Sequence, residues 1–402
     1  MRTLTNLAAA LFTLGLMTGC PDNDDQSLLS SNNSGSGGTG SNPAGLLTFT
    51  NGQAAFLVLG QPDFTSGGPG VTSSRFDQLG QATIGTSGKL WIVDGNNTRV
   101  VGYNSFPIVN GAAADLVIGQ VDFTSNTPAS SSTELANPYS AVDNGTQLFV
   151  SDKTNHRIQV FNTIPSSSTP SADFSLGAPN PSSVGVSTCS QSEFMSPQGL
   201  FATLNYLYVA DPDCNRVTIF SLPITANKPN AIRVIGQPDF TTSTASTSQS
   251  ALNTPYTVWS NDTRIIIGDA GNNRALLYNS FPTTDGANAD LVLGQADFTS
   301  AVSGVTTQSS LYTDSDGYIG VASNGTQVFV ADIDNSRVMI WNSWPTSNGQ
   351  NADVVLGQPD FTSHTVATTQ TGLSFPANVF VTSQYLIVTE PYVPRVLIWK
   401  SP

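Results

Sequence analysis

Apolar residues in this chain come in short runs, and the runs come in a fixed order. Around residues 135–176, Leu135-Ala136-Asn137-Pro138-Tyr139-Ser140-Ala141-Val142 introduces the first run just after a proline, where a strand needs no ladder donor. Asn144-Gly145 then marks a hairpin turn, Leu148-Phe149-Val150 a second run and Arg157-Ile158-Gln159-Val160-Phe161 a third. After Pro165 and a Ser-rich loop, Asp173-Phe174-Ser175-Leu176 makes a short fourth. The second run of the other units (residues 90–93, 207–210, 265–267, 328–331 and 386–388) is apolar without alternation. A strand with one wet face alternates, so these predict strands covered on both faces.

Each second run ends on an acid, with an arginine five residues further on. The pairs are Asp94/Arg99, Asp152/Arg157, Asp211/Arg216, Asp269/Arg274, Asp332/Arg337 and Glu390/Arg395, and successive arginines are 58, 59, 58, 63 and 58 residues apart. So regular a period predicts one repeat array. Four short antiparallel strands per unit is the grammar of a propeller blade. A parallel β-helix stacks strands too, but its coils are shorter and it lacks hairpins.

A second phrase lies between the units: Gly60-Gln61-Pro62-Asp63-Phe64, with copies at 119–123, 236–240, 294–298 and 357–361, and a degenerate copy, Gly177-Ala178-Pro179-Asn180. The apolar residues before each copy supply the fourth, outermost strand. The first such strand (56–59) precedes any complete unit, and the last unit stops at 395–400 without one. The natural closure pairs residues 56–59 with the third strand of the last blade. Six blades then close with none left over, giving an all-β, six-bladed propeller of four-stranded antiparallel blades.

Proline, apolar strand, turn, apolar strand and then Asp-x-x-Asn-x-Arg-Val resembles the NHL-repeat family over roughly residues 50–402. The resemblance implies a six-bladed propeller. Cys214 departs from the pattern where Asn97, Asn155, Asn272 and Asn335 stand, and the last unit has Glu390 and Val393.

Charge narrows the partners. Lysine plus arginine number 14 against 28 acids, a formal net charge of −14, and six of the ten arginines belong to the repeat. A basic footprint for nucleic acid is absent. Residues 1–19 read as an export signal: Arg2, an apolar stretch over 7–17, then small residues. Leu16-Met17-Thr18-Gly19-Cys20 resembles the bacterial lipobox, which implies acylation of Cys20 and removal of what precedes it. Residues 20–45 are rich in Ser, Asn and Gly and predict a disordered tether, leaving 46–402 for the propeller. Pro21, rather than an aspartate, follows Cys20, which by the enteric sorting rule points to the outer membrane or cell surface.

The acid/arginine pair sits across a four-residue loop in every unit, whereas catalysis needs one special place, so a structural role is expected for all twelve residues. The same holds for the Gln-x-Asp-Phe phrase, whose phenylalanine is expected to plug a gap between blades; whether these loops bind calcium stays open. Among six-bladed relatives are lyases that use histidines and gluconolactonase-like hydrolases that hold calcium. This chain has only His156 and His364, too few for an imidazole-rich zinc site. The residues expected to line the axis (Gln81, Tyr139, Gln198, Tyr256, Tyr318 and Asn378) include no ring of carboxylates for calcium. No Gly-x-Ser-x-Gly elbow is present. The reading therefore names no catalytic residue, metal site or cofactor.

Cys189 and Cys214 remain once Cys20 is acylated. They fall on loops of the same face in blade three, in an oxidising compartment, and predict a disulfide. The loops running from each Gln-x-Asp-Phe phrase to the next first strand are rich in Ser, Thr and Gly and rim one face of the disc. Tyr139, Tyr256, Tyr318 and Phe375 lie near that face, either stacking on a glycan or peptide or packing at the axis. The expectation is a monomeric, lipid-anchored extracytoplasmic module that binds or scaffolds a protein or polysaccharide of the cell envelope. The alternative is a hydrolase or lyase, gluconolactonase-like or amidating-lyase-like, with a non-standard site.

Overall fold

The computed structural model describes residues 46–313 and 317–401. The expected signal, Cys20 and the tether lie outside the described residues. Six four-stranded antiparallel sheets contain all 24 strands found there. Blade one, for example, runs Leu79–Ile84, Leu90–Asp94, Arg99–Tyr103 and Leu116–Ile118 from the axis outward. The second and third strands of that blade are buried along their whole length, because neighbouring blades cover both faces.

Blade six is completed from the other end of the chain. Its strands Asn378–Val381, Tyr385–Glu390 and Arg395–Lys400 are joined by Leu57–Leu59, in the register Leu57 to Ile398, Val58 to Leu397 and Leu59 to Val396. The N-terminal contribution goes beyond one strand. In blade three, Ile224 of the connection between third and fourth strands exchanges two hydrogen bonds with the Gln147 side chain of blade two, at 2.9 and 2.7 Å. Leu47 makes the same exchange with Gln327 of blade five, at 2.8 Å each way. Residues 46–56 therefore serve as the missing connection of blade six.

That connection carries a second device found in all six blades. The middle residue of each fourth strand points an N–H and a C=O away from its own sheet, an edge open to further pairing. The connection of the next blade caps both. Asn110 Oδ1 accepts from the Val58 amide while the Gly111 amide donates to the Val58 carbonyl; Asn51 and Gly52 do the same to Val355, at 3.0 Å each. Ser168-Thr169, Asn227-Lys228, Asp285-Gly286 and Asn348-Gly349 cap Val117, Ser175, Val234 and Val292. The second residue of each cap is left-handed, with φ between 51° at Lys228 and 64° at Gly52, the conformation that favours glycine. On this same face an Asn-Ser-aromatic-Pro phrase staples blades together: Phe106 stacks on Tyr385 at 4.2 Å, Phe281 on Tyr206 at 4.8 Å, and Trp344 leans on Trp259.

Candidate functional site: the loop face and its axis

The acid/arginine pairs organise the opposite face. All six pairs are buried to 0% side-chain exposure, and each joins directly opposite residues of the second and third strands. Asp94 shows the wiring. One carboxylate oxygen accepts from the Asp77 amide at 2.7 Å, just ahead of the first strand, and the other takes Arg99 Nε at 2.8 Å and Asn97 Nδ2 at 2.9 Å. The rest of the guanidinium reaches two loops: Nη2 donates to the carbonyls of Thr72 and Arg75 in the loop entering the blade, and Nη1 to the Phe123 carbonyl beyond it.

The wiring recurs around the ring. Arg216, Arg274, Arg337 and Arg395 donate to the carbonyls of Phe240, Phe298, Phe361 and Phe64, and Arg157 to Pro181 in the degenerate copy. The two repeated phrases of the sequence are thus one structural unit. A buried ion pair is stabilising only where its remaining donors are met, and here the donors that the acid leaves over are met by the loop carbonyls and so hold the loops. Each phrase glutamine adds a tie: Gln358 Nε2 donates to the carbonyls of Ser336 and Thr365, at 2.9 and 2.8 Å. The phenylalanines Phe64, Phe123, Phe240, Phe298 and Phe361 pack, partly buried, against the cores between blades.

Burial raises the carboxyl of Asp94 to about 6 and that of Glu390 to about 7, against the pull of Arg99 and Arg395. Burial also moves Asp152, Asp211, Asp269 and Asp332 upward. One such carboxyl would flag a catalyst; the same shift in all six blades follows from the fold. The exposed phrase aspartates go the other way. The amides of Thr65 and Ser66 and the Thr65 hydroxyl, all bonded to one oxygen of Asp63, hold its carboxyl at about 2. Asp122, Asp239 and Asp360 sit at about 2 in the same turn, with the amides of Thr124, Thr242 and Thr362 as the leading cause.

Blade three replaces one hydrogen bond with a covalent link. Asn97, Asn155 and Asn272 each donate to a carbonyl in the loop entering their blade: Gly70, Ala129 and Ser246. At the equivalent place Cys214 forms a disulfide with Cys189, 25 residues earlier in that blade's own entering loop. The hairpin residue that follows makes a latch to the next blade. Asn215 Oδ1 accepts from the Thr254 amide and Asn273 Oδ1 from the Thr313 amide, at 2.8 and 2.7 Å. His156 holds this position in blade two, and its Nδ1 bonds the Met195 carbonyl at 2.6 Å, donating. The histidine is therefore committed to a joint between blades. Among the described residues, no group of three or more His, Cys, Asp or Glu is placed to hold a metal.

The first strands begin on this same face. The pairing of first and second strands shifts register between Leu79 and Ala82, between Pro138 and Ala141, and between Pro255 and Thr257. Such bulges re-aim side chains, and the displaced residues include Gln81, Tyr139 and Tyr256. Just ahead of each, Gln78, Asn137 and Thr254 adopt φ of 47°, 67° and 47°. Left-handed backbone at a β-branched threonine is strained. Tyr139 and Tyr318 stack at 5.8 Å between ring centroids, Tyr256 lies 4.6 Å from Tyr318 and 6.4 Å from Tyr139. The Tyr139 hydroxyl donates to Asn378 Oδ1 at 3.3 Å.

Of the four aromatics expected near this face, the structure brings three together. Phe375 turns instead to the half-exposed Tyr392 of the last hairpin, at 5.8 Å and edge-on. Tyr139 is buried, while Tyr256 and Tyr318 are partly exposed. Beneath them Ser140 Oγ bonds both Gln81 Oε1 and the Leu200 amide. Below that lies a cavity of ≈50 Å³ lined by residues including Gln81, Thr83, Phe201, Trp259 and Phe380. The fold defines an all-β, six-bladed propeller whose first strands bring an aromatic cluster to the axis, ringed by braced loops.

Comparison with known proteins finds no matching family model and no matching curated protein. Among solved structures the chain is similar to the WD40 β-propeller domain of Doa1 (12% identity, 89% of this chain and 96% of that one, TM-score 0.45). It is also similar to a streptogramin B lyase (10%, 83% and 95%, 0.43) and to a putative 6-phosphogluconolactonase from Bacteroides uniformis (13%, 78% and 77%, 0.44). At these identities nothing about chemistry passes from them to this chain.

Proposed function

We propose that the protein is a lipid-anchored, extracytoplasmic binding module that presents its loop-rich face to a protein or polysaccharide of the cell envelope. One observation carries this reading: the loops rimming that face have their backbones clamped by the buried Arg99-type struts, while their Ser and Thr side chains remain at the surface. A rigid frame under variable tips is the arrangement binding sites use. The lipobox-like segment ending in Cys20 and the low-complexity tether over 20–45 support anchoring at the outer membrane or cell surface.

Site-specific photo-cross-linking in intact cells tests it. A photoreactive residue at Thr242 or Ser300 on the loop face should give discrete adducts. The same residue at Asn342, on the opposite face, should give none. Equal labelling from both faces, or none from the loop face, sinks the proposal.

A further inference from the structure

The repeat supplies its own control for surface chemistry on the face opposite the loops. In the connection between third and fourth strands, the two residues before the edge cap are Ser166-Ser167, Thr225-Ala226, Thr283-Thr284 and Thr346-Ser347 in blades two to five. Asp115, Asp173, Asp290 and Asp353 directly precede the fourth strands of blades one, two, four and five. Two adjacent blades break this pattern at their junction. Blade one carries Ile108-Val109 before its cap, at 78% and 61% exposure, and blade six carries Phe56 before its outer strand, at 49%. The bond from the Val58 amide to Asn110 Oδ1 joins the two stretches, so all three apolar side chains belong to one sector of the rim, where the ring closes. Scattered apolar side chains on a surface are ordinary; three gathered where the repeat places polar ones mark a contact surface. Two cations lie on the same face of the same blades. Lys89 Nζ donates to Asn104 Oδ1 in blade one, and Lys400 is exposed at the end of the last strand of blade six.

We propose that this sector, resting on the lipid anchoring assigned above, docks the propeller on the bilayer surface. Three features point to a lipid partner. First, the chain arrives here. Residues 46–56 are the connection of blade six, so a tether through residues 20–45 is tied to this sector. A coil of that length spans roughly 25–30 Å and holds the sector near the bilayer at an effective concentration on the order of millimolar. A contact too weak to recruit a free protein is then populated. Second, the patch is small. A stable protein interface takes about 800 Å² from each partner, more than three side chains supply, whereas shallow insertion at a lipid interface needs only a few apolar tips. Third, apolar tips flanked by lysines match acyl chains beneath phosphate headgroups. The chain carries a net charge of −14, so an anionic surface favours approach through its cationic positions. Docked in this way, the loop face is turned away from the bilayer and left free to bind.

The test uses the full-length protein reconstituted in vesicles of phosphatidylcholine with a minority of phosphatidylglycerol. A bimane probe on Val109→Cys is read against lipids carrying a nitroxide high on the acyl chain. The same probe is placed on Leu204→Cys, exposed on this face in blade three, and on Ser300→Cys of the loop face. Quenching is expected at residue 109 and not at residues 204 and 300. Phe56→Asp with Ile108→Thr, the residues that blades four and five carry at these places, should bring quenching at residue 109 down to that at residue 300, with unchanged melting. If that pair disturbs blade six, Ile108→Thr alone should lower the quenching by at least about twofold. The assignment is overturned if residue 109 is not quenched, if residue 204 or 300 is quenched as strongly, or if quenching survives the substitutions. Shielding of residue 109 from aqueous iodide without quenching from the lipid would overturn it in favour of a second copy. Mass spectrometry of Cys20 separates the two readings. An acylated chain with residue 109 unquenched overturns the docking alone; a Cys20 without acyl groups overturns the anchor and the docking together.

Discussion

Val58 stands directly opposite Leu397 in an antiparallel pair, and neither side chain reaches solvent. The pair unites the two ends of the propeller. Truncating a buried aliphatic side chain costs the lost transfer energy plus a cavity term, so Val58→Ala should lose about 2 kcal/mol and Leu397→Ala about 3 kcal/mol by urea denaturation. Touching residues couple. The double variant should show an interaction energy on the order of 1 kcal/mol, and simple additivity would mean that the two strands are not paired.

The edge caps predict an equivalence between distant residues. Asn51→Ala and Asn348→Ala each remove one acceptor from an outer-strand amide, at Val355 and Val292. Each should cost about 1 kcal/mol, and the two costs should agree. A negligible effect at Asn51 alone would show that residues 46–56 are not the regular connection of blade six.

The disulfide predicts a graded series. Closing a loop of 25 residues is worth about 3 kcal/mol in the chain-entropy account, so Cys189→Ser with Cys214→Ser should lower stability by that order. Cys189→Ala with Cys214→Asn places the ordinary asparagine of the other blades in the hairpin and should recover about 1 kcal/mol of it. Thiol titration of the unfolded, unreduced protein should find neither Cys189 nor Cys214 free.

Acid sensitivity follows from the exposed turns. Carboxyls held at about 2 in the folded chain, against 3.8 ordinarily, bind fewer protons folded than unfolded between those values. Their contribution to stability is therefore complete above about pH 4 and is lost as the pH falls towards 2. Replacing Asp63, Asp122, Asp239 and Asp360 by Asn keeps the turn's acceptor and removes the titration. Urea unfolding at pH 5, 4 and 3 should show a shallower loss for the quadruple variant than for the wild type; parallel curves would contradict the turn assignment.

The arginine struts predict a loop effect separable from charge. Arg274→Lys keeps the cation but loses the fork that reaches the carbonyls of Ser248, Ala251 and Phe298. Hydrogen exchange should rise in residues 241–251 and 298–300, and stability should fall by about 2–4 kcal/mol. Unchanged loop protection would separate the strut from the loops.

The blade count and the closure were legible because they rest on residue types that recur: an acid, an arginine five places on, and an outer strand too many at one end and too few at the other. What recurs as backbone shape was not. The edge cap is written Asn-Gly at 51–52, 110–111 and 348–349 but Ser-Thr at 168–169 and Asn-Lys at 227–228, because the requirement is a left-handed residue after a short acceptor. The Asn-Ser-aromatic-Pro phrase was within reach of the same repeat reading and was missed. At the axis, tyrosine and amide positions could be read from strand starts. The bulges that aim Gln81, Tyr139 and Tyr256 depend on how closely neighbouring first strands approach, and no local signal carries that. Tyr392 joins Phe375 only through the hairpin of blade six.

Because the segment around Val58 finds its partner only at Leu397, the earliest-made piece of the propeller is the last to be placed. At about 5–20 residues per second it waits roughly 20–70 s during synthesis, capped along one edge by Asn110 and Gly111 of blade one while the edge that faces Leu397 stays unpaired and the sixth sheet is missing. Ribosome stalling or a premature stop anywhere after the fifth blade leaves an open ring with a sticky seam at each side. For this molecule quality control is built into the order of assembly, since nothing short of the final hairpin yields a sealed disc.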